Sequence, residues 1–154
     1  MDVYSQSDLK GAVVTVFGGA GFIGSHIVAR LAAKGARIKV ATRHPPSVYF
    51  LRPLGEVGQI VPVLCSYGTE EDVSRAVHGS DLVVNCMGIL YEKRENQFAH
   101  VHTDLAFWIA KACSRYNVQR FVHISALAVD CSPSEYAISK MSGERGVMQA
   151  FPKA

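Results

Sequence analysis

The chain has 154 residues, 49% of them hydrophobic and 19% charged, with a formal net charge of +3. That length suffices for one domain with a substantial core, and the composition is that of a globular rather than a disordered chain. The small charge excess, carried by scattered Lys and Arg, gives no argument for a nucleic-acid partner, and no apolar run reaches the length of a direct membrane span.

The first ten residues, MDVYSQSDLK, lack the basic and apolar regions of a signal peptide, and residues 1–11 read as a flexible N-terminal arm ahead of a domain over residues 12–154. The four cysteines, Cys65, Cys86, Cys113 and Cys131, show no C-x-x-C spacing. They read as reduced thiols, three of them small core residues, rather than a disulfide framework or a metal site.

A first strand is expected over Ala12 to Phe17, followed by a glycine cluster and then a helix from Phe22 to Lys34 with Gly35 as its stop. Gly19, Gly21 and Gly24 spell G-x-G-x-x-G, and Gly18, Gly21 and Gly24 spell G-x-x-G-x-x-G. Strand, glycine turn and helix in that order are the context a dinucleotide-binding fingerprint requires. Gly18 or Gly19 permits the tight turn, Gly21 lets a pyrophosphate approach the backbone, and Gly24 lets the helix pack on the sheet. The free N–H groups and positive dipole end of the helix then face the phosphates, which adds Phe22 and Ile23 to the candidate set. Ile23, Ile27 and Leu31 are expected to form the helix's apolar stripe, with Val28 and Ala32 beside it.

A second strand, Arg37 to Thr42, ends at Arg43 and His44. An Asp or Glu at this tip would take the ribose hydroxyls of NAD, yet no acid occurs between Gly35 and Gly55. A guanidinium at Arg43 can pair with a 2′-phosphate that a carboxylate would repel, so NADP(H) is favoured, with NAD(H) as the alternative. Residues 45–58 carry three prolines and two glycines and exclude a long regular helix, leaving a short helical turn and a loop. A third strand follows at Gln59 to Leu64, and then a helix over residues 69–78 capped by Thr69 with an acid-rich first turn. A fourth strand, Asp81 to Cys86, ends in Met87-Gly88, and residues 89–96 form a loop.

A further helix is expected over Gln97 to Tyr116, with Phe98, Val101, Leu105, Trp108, Ile109 and Ala112 on one face. His100 and His102, two apart, do not share a helix face and are read as non-metal residues. A fifth strand runs from Gln119 to Ser125. The alternation of apolar strands with helices predicts an α/β fold, a doubly wound parallel sheet of order 3-2-1-4-5. Ligand is then expected at the carboxyl ends of the strands, near the switch between the first and fourth, where Met87 and Gly88 lie.

Ser132-Pro133-Ser134-Glu135 reads as a capping box with proline at the first helical position, opening a last helix that ends before Pro152. Tyr136 and Lys140 lie on it at i and i+4, the pattern Y-x-x-x-K. A nearby ammonium stabilises a phenolate, as proton transfer coupled to hydride transfer needs, and Ser125 supplies a hydrogen bond to a substrate oxygen. Tyr136, Lys140 and Ser125 are therefore the candidate catalytic residues. Lys140 is also a candidate for the cofactor's ribose. No metal ligand set is found.

G-x-x-G-x-x-G continuing as G-F-I-G, a serine ending the fifth strand and Y-x-x-x-K together resemble the short-chain dehydrogenase/reductase superfamily in its extended or atypical branch. VTVFGGAGFIG, LRPLGEVGQI, VVNCMGILYE, FVHISALAVD and SEYAISKMSGERGVMQAFPKA narrow the resemblance. They look like the group formed by the nucleotide-binding accessory subunit of respiratory complex I and its alphaproteobacterial relatives, with LRPLG-x-x-GQI the most specific pointer. The resemblance implies a Rossmann-like fold holding NADP(H), with Gly18, Gly21, Gly24 and Arg43 at the phosphates and Tyr136 and Lys140 near ribose and nicotinamide. It implies a nucleotide kept for a structural or regulatory role, complex I or other membrane-associated subunits as partners, and a cytoplasmic location, peripheral on the inner face of a respiratory membrane. The alternative is an active NADP-dependent oxidoreductase, epimerase or dehydratase acting on a small molecule such as a nucleotide sugar, with Tyr136 as acid/base. The family's sixth strand and substrate-binding portion are absent from this chain.

Overall fold

The computed structural model describes residues 9–93 and 97–154. Residues 1–8 of the expected arm and residues 94–96 of the expected loop lie outside that set. From Leu9 onward the chain is tied down: the Gly11 amide donates to the Gly35 carbonyl, and Leu9 packs against the core.

Five strands form one parallel sheet: β1 (Val13–Phe17), β2 (Arg37–Thr42), β3 (Ile60–Leu64), β4 (Leu82–Asn85) and β5 (Arg120–His123). Their order is β3-β2-β1-β4-β5, as expected, with Val16 paired to Val40 on one side and to Val84 on the other. Alternation along β1 sends Val14 and Val16 to one face and Phe17 to the other. The first face is covered by α1 (Phe22–Ala33) and a 3₁₀ segment (Pro45–Leu54), where Val28, Ile38, Leu51 and Ile60 pack together. The second is covered by α2 (Glu70–Val77), α3 (Leu105–Arg115) and α4 (Glu135–Ala150), around Val73, Leu105, Ile109, Phe121 and Val147.

Three local readings need correction. The buried residues of α1 are Gly24, Val28 and Ala32, one helical row away from the expected stripe, and Ile23 is 52% exposed. Gly24 draws this row inward because it brings the helix backbone against the glycine turn. The long helix over 97–116 is two pieces: a π-helical turn (Ala99–Asp104), closed by the Leu105 amide on the His100 carbonyl, leads into α3. Finally, Ser134 rather than Ser132 caps α4, its Oγ accepting from the Ala137 amide at 3.2 Å, so Pro133 lies outside the helix. The Thr69 cap on α2 is found as read, accepting from the Asp72 amide.

The LRPLG-x-x-GQI segment has a structural explanation. Gln59 Nε2 donates to the Ala32 and Ala36 carbonyls at 2.8 and 2.9 Å, while its Oε1 accepts from the Glu56 amide at 2.8 Å. One side chain thus ties the last turn of α1, at Ala32, and Ala36 just ahead of β2 to the loop before β3. A Cβ on Gly55 would lie 2.6 Å from Gln59 Oε1, so the glycine makes room for the clamp. Gln59→Leu keeps the volume but removes all three hydrogen bonds. It is expected to cost about 2 kcal/mol, read as a lower denaturant midpoint at unchanged slope.

Candidate functional site

The carboxyl ends of β1 and β4 meet where the strand order reverses. After Phe17 the chain turns through Gly18, whose φ is +74°. A Cβ there would stand 2.9 Å from the Cys86 carbonyl carbon and oxygen and 3.0 Å from the Met87 nitrogen, so the glycine lets the turn touch the end of β4. Gly19 packs as tightly, its notional Cβ 2.9 Å from Val40. The Gly21 amide closes on the Gly18 carbonyl at 3.1 Å, and Gly21 is the N-cap of α1. No side chain caps this terminus and no acid sits in its first turn, in contrast to α2 with Glu70, Glu71 and Asp72. Its N–H groups are left for an anion. A Cβ on Gly21 would meet only the Gly18 carbonyl oxygen, at 3.4 Å, so the space over the turn is open. Phe22, 83% exposed, and Ile23 offer the turn their backbone rather than their side chains.

Arg43 lies exposed at the tip of β2, next to β1 in the sheet. On the other side, the Met87 amide donates to Asn85 Oδ1 at 2.9 Å, which holds the Met87-Gly88 backbone in place after β4. Lys140 reaches this region from α4. It is 3% exposed, and its Nζ donates to the Ile124 carbonyl at 2.7 Å. Burial holds its ammonium below the usual lysine range, with Glu144 and Cys86 opposing the shift. Tyr136, half-buried one turn earlier, packs edge-on against His102 and Phe98 at centroid distances of 5.3 and 5.9 Å.

Ser125 stands two residues beyond the end of β5 rather than inside the strand. Its Oγ and His123 Nε2 are buried without a hydrogen-bond partner among the described residues. His123 Nδ1 pairs with Asn85 Nδ2 at 3.1 Å, and burial, with Lys140 and His102 adding to it, pushes the ring from 6.5 down to about 4. Buried polar atoms are rarely left unpaired, so these two mark a place where a bound group or water belongs. The residues present therefore fit a dinucleotide: a bare helix terminus, an open glycine cradle, and unpaired polar atoms at the far end.

The structure thus gathers Gly18, Gly19, Gly21, Gly24, Met87, Gly88, Ser125 and Lys140 along one edge of the sheet, with Arg43 at one end and Tyr136 at the other. Sequence reading missed His102, Asn85 and His123. His100 and His102 diverge: His100 Nε2 pairs with the Tyr67 carbonyl at 2.9 Å, while His102 turns inward. A surface groove lined by Lys10, Lys34, Arg37, Glu56 and Gln59 among others opens at the opposite, amino-terminal edge.

A family model described as NAD(P)H-binding matches residues 18–152. The chain belongs to that NAD(P)H-binding family. The 40 kDa subunit of mitochondrial NADH-ubiquinone oxidoreductase from Neurospora crassa is 33% identical over 149 residues, which are 96% of this chain and 40% of that protein. A ceramide reductase from Caulobacter vibrioides is 34% identical over 149 residues, 96% of this chain and 45% of the enzyme. Among solved structures, a mutant uronate dehydrogenase from Agrobacterium tumefaciens complexed with NAD superposes with a TM-score of 0.72. At 23% identity, over 92% of this chain and 57% of that one, it is a match of fold. The NAD(P)H-binding domain described here thus spans less than half the length of these two relatives. No helix among its described residues is long and apolar enough to cross a membrane.

Proposed function

We infer that this domain holds NADP(H) along the carboxyl edge of its sheet and that the protein keeps the nucleotide for a structural or regulatory role as an accessory component of respiratory complex I. The observation that carries the nucleotide reading is the uncapped, acid-free N-terminus of α1 under an open glycine turn. The pyrophosphate lies over Gly21, against the amides of Phe22, Ile23 and Gly24. Arg43 pairs with the 2′-phosphate, and the absence of any acid from Gly35 to Gly55 removes the competitor for it. Met87 and Gly88 line the path to the ribose, which Lys140 holds, and Tyr136 and Ser125 flank the nicotinamide. The accessory role is supported by the mitochondrial complex I relative and by LRPLG-x-x-GQI.

The test uses the full-length protein purified natively without added nucleotide. Tightly retained NADPH that neither exchanges nor oxidises is the expected result. Arg43→Ala should then weaken NADPH about tenfold while leaving NADH within about twofold, since one charge-assisted contact is removed from one ligand only. Equal binding of NADPH and NADH by the wild type would overturn the assignment of Arg43. A protein that never accompanies complex I or membranes would overturn the accessory role.

One observation favours a second reading, an active oxidoreductase. Lys140 is buried without a carboxylate in ion-pair distance among the described residues, one turn from Tyr136. Such a cation stabilises a phenolate, so the Tyr136 hydroxyl could exchange a proton with a small substrate whose oxygen Ser125 orients, while the bound cofactor supplies the hydride. The ceramide reductase relative makes a reductase of this kind chemically reasonable. Turnover of the full-length protein that vanishes in Tyr136→Phe would establish it.

A further inference from the structure

His102 is 1% exposed and carries no part of the roles assigned above. Its surroundings define its protonation. The Ile89 amide donates to Nε2 at 3.0 Å, so that nitrogen bears no proton. Burial, with Lys140 nearby, pushes the ring from 6.5 to about 4, so it is neutral and Nδ1 carries the hydrogen. Nδ1 then donates to Ser139 Oγ at 2.8 Å, and Ser139 Oγ donates in turn to the Tyr136 carbonyl at 2.8 Å. Every donor and acceptor in this run is matched. It starts in the loop after β4, at Gly88-Ile89, and ends in the first turn of α4.

The backbones are fitted around the ring. His102 lies in the π-helical turn, and a Cβ on Gly143 of α4 would fall 1.9 Å from the His102 carbonyl oxygen. Thr103 Oγ1 adds a bond to the Ser139 carbonyl at 3.2 Å. Phe98 stacks on one face of the imidazole at 5.3 Å, and Tyr136 meets it edge-on. We propose that His102 is a positioning residue of the nucleotide site, a neutral Nδ1–H imidazole that locks the Gly88-Ile89 backbone to the helix bearing Tyr136 and Lys140. It acts through these groups and touches no ligand itself. The inference rests on the nucleotide reading above.

Three substitutions in the full-length protein separate its functions. His102→Gln can present an oxygen to the Ile89 amide where Nε2 stood. His102→Asn reaches only Ser139. His102→Phe keeps the ring contacts and neither hydrogen bond. NADPH affinity, protection of the Ile89 amide from hydrogen exchange, and melting temperature are measured for each, and the ring nitrogens of the wild type are assigned by NMR. Expected are an Nδ1–H tautomer, about tenfold weaker NADPH with an unprotected Ile89 in His102→Phe and His102→Asn, and recovery of both in His102→Gln. An Nε2–H tautomer overturns the proposal, as does NADPH binding by His102→Phe within twofold of wild type. Equal weakening in the Gln and Phe variants also overturns it, because packing alone would then explain the residue. Wild-type protein that binds neither NADPH nor NADH is a different result: it removes the nucleotide reading, and this proposal with it.

Discussion

Gly24→Ala is expected to weaken NADPH more than about a hundredfold and to cost the domain about 3 kcal/mol. The added Cβ would stand 2.1 Å from the Gly18 carbonyl oxygen and 2.8 Å from both the Gly18 carbonyl carbon and the Gly19 Cα. All three are backbone atoms, so no rotamer change relieves the clash. The first turn of α1 must move off the glycine turn, and Val28 and Ala32, on the same row, lose their seat on the sheet. Gly21→Ala is the matched control. Its Cβ meets one atom at 3.4 Å, an ordinary contact, and the backbone there, at φ −75°, suits alanine. Stability within about 1 kcal/mol of wild type is expected, with nucleotide binding lost because the methyl group occupies the pyrophosphate's approach. Denaturant unfolding and NADPH titration read both variants. Wild-type affinity in Gly21→Ala would place the phosphates elsewhere.

Acid is expected to unfold the domain through His102 and His123. Both rings fall from 6.5 to about 4 in the folded protein, so between those values the unfolded chain binds more protons. Their contribution is whole above pH 6.5 and disappears as the pH falls toward 4. Each ring is worth on the order of 3 kcal/mol across the full window, and about half of that is gone by pH 5, above the ordinary carboxylate range. The rings share the region of Lys140, whose charge disfavours a second and third positive charge beside it. Denaturant midpoints at pH 7, 6 and 5 measure the loss, and His123→Gln should flatten part of the slope. Midpoints that do not change over that range would show that neither ring is held neutral by the fold.

The strands and their order were legible because parallel strands buried on both faces are written as apolar runs, and β2 begins and ends where the residues change character. The glycine turn was legible for a similar reason: backbone close approach demands glycine, and the demand appears as spacing. The α1 stripe misled because periodicity marks a row of large apolar residues, whereas the row that packs here contains Gly24 and Ala32. The π-helical turn is invisible to a 3.6-residue period, and the close approach made there, Gly143 of α4 to the His102 carbonyl, joins residues far apart in the sequence. His102 itself was weighed only for metal binding beside His100. Its partners, Ile89 in the loop after β4 and Ser139 on α4, lie on two other segments that only the folded chain brings to it. Ser125 and His123 illustrate the same limit: their residue types suggest chemistry, but their unpaired atoms appear only once neighbours are in place.

Because β1 lies at the centre of the sheet, the chain must wait to finish it. β2 and β3 arrive early, yet Val13 meets its partner Asp81 only after a separation of 68 residues. At ribosomal speeds that is roughly 3–14 s. For about the last 1–3 s of it, once Leu64 has been made, β1, β2 and β3 form a three-stranded half-sheet with α1 and the 3₁₀ segment on one face. Its other face, with Phe17, remains bare until α2, α3 and α4 are made. That half-sheet, with an apolar face uncovered, is the species expected to draw chaperones and proteases during synthesis.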